Sequence, residues 1–113
     1  MIFLLFMEWF QLFDSDTEAL KTIADKKAVT VEAAGIRLCV ARSGSSFYAL
    51  KDACPHSGAP LSKGIVNNYA EVVCPLHHYR FRLLDGVESN EKSAAAITYP
   101  VELRKEGLFI QIG

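Results

Sequence analysis

Residues 52–81 hold most of the metal-binding side chains of this 113-residue chain. All three histidines and two of the three cysteines lie there, together with three of the four prolines. Cys54 and His56 form a C-x-H motif, and Cys74 and His77 form a C-x-x-H motif. Thiolate and neutral imidazole are ligands for zinc or iron–sulfur centres rather than for calcium or magnesium. The sequence therefore predicts a metal centre with these four residues as its ligands.

The donor types alone leave two kinds of metal centre open. Two cysteines and two histidines can hold a structural zinc ion, but zinc motifs usually keep like ligands together in short C-x-x-C and H-x-x-x-H spacings. Here each motif mixes one cysteine with one histidine. Two loops of that kind suit a [2Fe–2S] pair in which one iron carries two cysteines and the other two histidines. We favour the iron–sulfur centre, with a zinc-stapled binding module as the weaker alternative.

The rest of the chain has the pattern of an all-β fold, with short apolar runs separated by glycine-marked turns. Strands are predicted at residues 8–13, 28–33, 36–42, 47–50, 97–104 and 108–112. A cluster of capping and acidic residues at 14–18 predicts one short helix at residues 17–24. Pro100 cannot donate to a strand ladder, so its strand is expected at a sheet edge or with a bulge.

Charge and cysteine content exclude several classes of protein. A net charge of −1 gives no basic footprint for nucleic acid or for an anionic membrane surface. Three cysteines, an odd number, do not suit a disulfide-stapled secreted scaffold, so we expect reduced thiols and a cytoplasmic location. Cys39 lies inside a predicted strand and is expected to be a small buried apolar residue.

The N-terminal apolar run, residues 1–7, does not predict a membrane segment. A transmembrane helix needs about 20 apolar residues. A signal peptide needs a positive start, whereas the first cation here is Lys21. We expect the run to lead into a buried first strand, and the sequence does not decide between Met1 and Met7 as the start.

Read with their neighbours, the two motifs resemble those of a known family. CPHSGAPLSKG at residues 54–64 and CPLHHYRF at residues 74–81 look like the cluster-binding loops of Rieske [2Fe–2S] proteins. They are most similar to small Rieske-type ferredoxins. The resemblance implies a single Rieske domain over residues 1–113, an antiparallel β-sandwich or barrel with at most one short helix. The cluster-binding subdomain would lie at about residues 52–84.

The resemblance also implies a role for each matching residue. Cys54 and Cys74 would bind the inner iron, and His56 and His77 would bind the outer iron near the surface. The remaining implied roles belong to the loops and their packing. They are tight turns at Gly58 and Gly64, an apolar cover at Leu61, and aromatic packing behind the second loop at Phe81.

Departures from the family pattern narrow the subtype. Respiratory Rieske proteins carry a disulfide between their loops, but Ala59 and Leu76 stand at those positions. Tyr79 and Phe81 stand where those proteins have a serine and a tyrosine that donate hydrogen bonds to the cluster, and Phe81 has no hydroxyl. Fewer such bonds stabilise the reduced state less, so we expect a potential of roughly −150 mV rather than +300 mV. His78 stands where relatives often have glycine, and we expect it to be an exposed non-ligand.

These features predict a soluble one-electron carrier rather than an enzyme, because no catalytic motif accompanies the metal centre. Its partners would be a flavin- or NAD(P)H-linked reductase and an acceptor oxygenase or reductase, and we expect a monomer. A small accessory subunit of a larger reductase, similar to nitrite reductase small subunits, is the main alternative. Electrons are expected to leave at the exposed edge of the two histidine ligands. The expected docking patch consists of Ser57, Pro60, Leu76 and His78.

Overall fold

Strand β3 (Ile36–Ser43) is the centre of the fold, because side chains on both of its faces are buried. The structure is a computed structural model that describes residues 8–112. Successive side chains of a strand point to opposite faces of the sheet. Leu38 therefore faces one hydrophobic core, and Cys39 faces a second core on the other side.

The central sheet has the order β2–β3–β4–β8 and is antiparallel throughout. Its other strands are β2 (Ala28–Ala33), β4 (Ser46–Lys51) and β8 (Thr98–Tyr99). Ala34 and Gly35 join β2 to β3 with φ values of 52° and 76°. Positive φ at both central residues is the geometry of a two-residue hairpin turn that matches strand twist.

A second antiparallel sheet, ordered β1–β10–β9, covers one face of the central sheet. Its strands are β1 (Glu8–Phe13), β9 (Val101–Arg104) and β10 (Gly107–Ile112). Helix α1 (Asp16–Thr22) begins after Ser15, whose hydroxyl accepts a hydrogen bond from the Glu18 N–H at 3.0 Å. We call the core between these elements the framework core. Its buried members are Ala19, Ile23, Leu38, Val40, Phe47, Ala49, Leu108 and Ile110.

The other face of the central sheet supports a third, smaller antiparallel sheet, ordered β5–β6–β7. Its strands are β5 (Ile65–Val66), β6 (Glu71–Val73) and β7 (Arg80–Arg82), and a short 3-10 helix (Leu61–Lys63) precedes them. The loop that follows β4 and the loop that joins β6 to β7 carry the two metal-binding motifs.

The predicted all-β fold with one short helix is confirmed for residues 8–112. The strands at residues 8–13 and 28–33 have the predicted bounds, and α1 lies slightly earlier than the predicted 17–24. The strand predicted at 97–104 is divided into β8 and β9 at Pro100, which cannot donate to the ladder. The prediction for residues 1–7 lies outside the described residues, but the first strand, β1, was expected to be buried and is instead exposed or half-buried along its length, because it is an edge strand of its sheet. Within 8–112, no helix combines the length and apolar character needed to cross a membrane.

Candidate metal centre

The two ligand loops, residues 54–59 and 74–79, fold into the same backbone turn. In the first, the Gly58 N–H donates to the Cys54 carbonyl at 2.7 Å, and the Cys54 N–H donates to the Ala59 carbonyl at 2.8 Å. In the second, the His78 N–H donates to the Cys74 carbonyl at 3.0 Å, and the Cys74 N–H donates to the Tyr79 carbonyl at 2.8 Å. Each turn therefore anchors its cysteine through both backbone groups.

The fifth residue of each turn has left-handed backbone geometry. Gly58 has φ of 77° and His78 has φ of 61°. Glycine adopts this conformation without steric cost, whereas a residue with a Cβ atom is strained there. The second ligand loop thus contains backbone strain that the first avoids.

The cysteine side chains of the two loops meet beneath the surface. Cys54 is 2% exposed and Cys74 is 1% exposed. Both belong to a core that we call the loop core, and the two thiols interact with each other. Leu61 and Phe81, which the resemblance assigns to packing around the centre, are fully buried in the same core.

Hydrogen bonds favour the thiolate form of Cys54. Burial raises the pKa of this thiol. Hydrogen bonds from the Ser57 side chain and from the Ser57 and His56 N–H groups lower the pKa by more than burial raises it, so the pKa lies below the ordinary value. The Ser57 hydroxyl also lies 3.7 Å from Cys74 Sγ. Metal binding requires deprotonated cysteine, and these donors favour that form.

The histidine side chains of the two loops meet at the surface above the thiols. His56 and His77 are exposed, and their ring centroids are 5.0 Å apart at an interplanar angle of 66°. His78 lines a shallow groove with Lys63 and Ile65. The structure thus brings together the four predicted ligands in two like pairs, and it places His78 outside them.

A stacked aromatic side chain holds the His56 ring. The Tyr79 ring is 4.2 Å from it at an interplanar angle of 15°, and Lys92 Nζ lies 5.7 Å from the Tyr79 centroid. Sequence reasoning missed both contacts. An aromatic residue two positions after His77 was a usable signal, but nothing local to Lys92 indicated its proximity.

A buried carboxylate fixes the start of the first ligand loop. Asp52 accepts hydrogen bonds from the Ser62 N–H and hydroxyl, each at 2.7 Å, and the Ser62 and Thr30 hydroxyls are 2.6 Å apart. These contacts attach residues on both sides of the loop to strand β2. Sequence reasoning did not single out Asp52.

Glu88 performs the corresponding task after the second ligand loop. Its carboxylate is 2% exposed and accepts hydrogen bonds from the N–H groups of Arg80, Asn90 and Lys92 at 3.1, 2.9 and 2.9 Å. Burial alone raises the pKa of Glu88, but these three donors and the charge of Lys92 lower it more, so the group is held ionised. Sequence reasoning missed this residue as well.

Cys39 is buried like the two loop cysteines, but it lies in a strand, and its pKa is shifted in the opposite direction to that of Cys54. It is fully buried in β3, as predicted, and burial together with the nearby Asp52 carboxylate raises its pKa to about 12. A thiol so hard to deprotonate is a poor ligand. All three cysteines are free.

The donor set fits a two-iron cluster. Each iron of a Rieske cluster takes two protein ligands, thiolates on one and imidazoles on the other. Cys54 with Cys74, and His56 with His77, supply those two pairs. Among residues 8–112, no group of three or more His, Cys, Asp or Glu side chains is placed to hold a single metal ion.

The chain is similar to a known protein family and to curated proteins. The family model described as Rieske [2Fe-2S] domain matches residues 13–100. The 3-phenylpropionate/cinnamic acid dioxygenase ferredoxin subunit of Shigella boydii serotype 4 (strain Sb227) is 36% identical over 70 residues, covering 61% of this chain and 66% of that protein. The chain thus matches slightly under two thirds of the length of this curated relative.

Two solved structures share the fold. One chain of a complex of reduced oxygenase and oxidized ferredoxin in carbazole 1,9a-dioxygenase has a TM-score of 0.77 and 23% identity, covering 91% of this chain and 92% of that one. The putative NADH-dependent nitrite reductase small subunit from Mycobacterium tuberculosis has a TM-score of 0.81 and 23% identity, covering 96% and 97%. At these identities the likeness concerns the fold alone.

Proposed function

Since the chain belongs to the Rieske [2Fe-2S] domain family, we propose that it is a one-electron carrier that delivers electrons to an acceptor oxygenase. Family membership implies a Rieske-type [2Fe–2S] cluster, which stores and releases one electron when bound. The observation that carries the proposal is the pairing of buried thiol with buried thiol and of exposed imidazole with exposed imidazole.

We assign the ligands as Cys54 and Cys74 on the inner iron and His56 and His77 on the outer iron. The thiols lie in the loop core, where solvent is excluded, and the Ser57 hydroxyl lies 3.7 Å from Cys74 Sγ. The imidazoles lie at the surface, where a partner protein can approach them. Residues 52–84 would then act as a cluster-binding subdomain attached to the β framework, with the whole chain as one domain.

The proposed partners follow from the curated relative at 36% identity, which is the ferredoxin subunit of a dioxygenase. The acceptor would be an oxygenase component, and a flavin- or NAD(P)H-linked reductase would supply the electrons in the cytoplasm. The alternative is a role as a small subunit of a reductase. It is supported only by a solved structure that has the same fold and 23% sequence identity. The closer sequence relative therefore favours the carrier.

Electron counting against a purified oxygenase tests this proposal. The protein is reduced with dithionite under argon and mixed with the oxygenase component of an aromatic-ring dioxygenase. We expect uptake of one electron per chain, reoxidation by the oxygenase, and no stable complex on gel filtration. A protein that takes up no electron would overturn the carrier role, and tight stoichiometric association with a large reductase subunit would establish the alternative.

A further inference from the structure

Two shallow surface grooves flank the ligand loops, and they are built alike. Each is lined by the cysteine and proline of one loop, one lysine and one isoleucine. In the groove beside the first loop these are Cys54, Pro55, Lys51 and Ile97. In the groove beside the second loop they are Cys74, Pro75, Lys63 and Ile65. The chain therefore places a cation and an apolar side chain beside each half of the metal centre.

The apolar side chains around the centre are unusually exposed. Ile65 is 61% exposed, Ile97 is 53% exposed, and Leu76, which directly precedes His77, is 57% exposed. Single exposed apolar residues are common on protein surfaces, but a group of them around one functional centre is typical of an interaction site.

A third lysine joins the two that line the grooves. Lys92 Nζ lies 5.7 Å from the centroid of Tyr79, whose ring stacks on His56. Lys51, Lys63 and Lys92 are all exposed, and we call them the lysine collar. In the described part of the chain, no carboxylate lines either groove.

The collar is a local feature, because the chain as a whole has 13 acidic and 12 basic residues. A cluster of one sign on a nearly neutral protein creates a local potential that steers oppositely charged partners. Glu88 lowers the effective charge of Lys92, since the two interact electrostatically. Lys51 and Lys63 should therefore contribute more than Lys92.

We propose that the lysine collar, with Leu76, Ile65 and Ile97, is the docking surface for a redox protein whose own docking face carries carboxylates around an apolar depression. This inference rests on the proposed electron-carrier function and adds the chemistry of the partner. Charge complementarity of this kind sets association rate and partner choice more than affinity. A partner with a basic docking face would be repelled.

Small redox ions of opposite charge test the collar without a known partner. The reduced protein gives one electron to hexacyanoferrate(III), which becomes hexacyanoferrate(II), or to tris(1,10-phenanthroline)cobalt(III), which becomes the cobalt(II) complex. Rates are measured by stopped flow at low and high ionic strength. The test variant is Lys51→Gln/Lys63→Gln/Lys92→Gln. The control, Lys21→Gln/Lys27→Gln/Lys105→Gln, changes the same number of exposed charges in α1, directly before β2 and in the turn between β9 and β10.

We expect the collar variant to react about tenfold more slowly with the anionic oxidant at low ionic strength and faster with the cationic one. The difference should shrink to less than about twofold near 1 M salt, where the screening length is about 3 Å. The control should change either rate by less than about twofold. Equal changes in rate for the two triple variants, or no change in either, would overturn the proposed role of the lysine collar.

Binding of hexacyanocobaltate(III), a trianion that accepts no electron here, gives a second readout by NMR titration. We expect its shifts to centre on Lys51 and Lys63 and to vanish in the collar variant. Shifts spread evenly over exposed lysines would contradict the proposal. Failure of the carrier function is distinguishable, because a wild-type protein that cannot be reduced fails before any variant is compared.

Discussion

The two ligand loops differ in sequence far more than in backbone. Both place a cysteine at the first position and proline at the second, and both close with the same pair of hydrogen bonds. The histidine that we propose as a ligand, however, is the third residue of the first turn and the fourth of the second. Gly58 and His78 then occupy the same left-handed position. The turn therefore fixes the two thiols, while the positions of the imidazoles vary within it.

Some features occur in both loops, and others occur in only one of them. A buried cysteine anchored through both backbone groups occurs in both loops. Strain-free glycine occurs in one loop only, and His78 carries the strain in the other. Each loop also depends on a buried carboxylate outside it, Asp52 for the first and Glu88 for the second.

Removal of either loop thiol should have the largest effect and should be the same for both loops. Cys54→Ser and Cys74→Ser are each expected to lose nearly all iron and sulfide, because the proposed assignment makes both thiols ligands of the same iron. Residues 52–81 should become disordered while the β framework survives. Iron and sulfide per chain, with NMR of the β strands, check this. Cys39→Ser is the matched control and should keep its cluster, and equal loss in that variant would contradict the assignment.

A methyl group at Gly64 should clash with the backbone that leads into the second ligand loop. A Cβ atom there would lie 1.8 Å from the Val73 carbonyl oxygen, directly before the second ligand loop. Because the obstacle is backbone, β5 and β6 must move apart, and we expect Gly64→Ala to lower the free energy of unfolding by about 3 kcal/mol. Gly35→Ala, at an open position with φ of 76°, should cost less and leave cluster content unchanged. Urea denaturation and iron content distinguish the two.

Acid should weaken the support of the second loop through Glu88. Its folded-state pKa is depressed, so its stabilisation is present above the unfolded value of about 4.3 and is lost as pH falls through the folded pKa. Glu88→Gln should cost about 1–3 kcal/mol at pH 7, because an amide cannot accept from all three N–H groups. The difference in the free energy of unfolding between this variant and the wild type should become smaller below about pH 4. Glu91→Gln, at an exposed site, is the control, and a pH-independent difference would contradict this role.

Substitutions at the left-handed position of each loop should have the smallest effects on stability, and the effects in the two loops should have opposite signs. Gly58→His introduces strain and should destabilise by about 1–2 kcal/mol. His78→Gly removes strain, but glycine gains freedom in the unfolded chain, so we expect a net stabilisation of about 0.5 kcal/mol. Melting temperatures of the loaded proteins check the signs. Destabilisation by both changes would show that the His78 side chain makes a contact worth more than its strain.

The family and the longer strands were predicted correctly because their signals are local. The motifs that resemble the family are short and dense in rare residues, and the strand at 28–33 alternates from Val29 to Ala33. The third sheet was not predicted, because strands of two or three residues are too short to show a period. The Tyr79–His56 stack joins residues far apart in sequence, and the Glu88 carboxylate accepts from N–H groups two to eight residues away in an irregular segment that has no sequence period. Such contacts depend on tertiary packing, which one sequence does not display.

The central claim is that two thiols and two imidazoles hold a two-iron cluster. Visible absorption and the EPR spectrum of the reduced protein, purified without air, test it most directly, with iron, sulfide and zinc assays on the same sample. We expect a coloured protein with two irons and two sulfides per chain and a Rieske-type EPR signal. A colourless protein with one zinc per chain would contradict it.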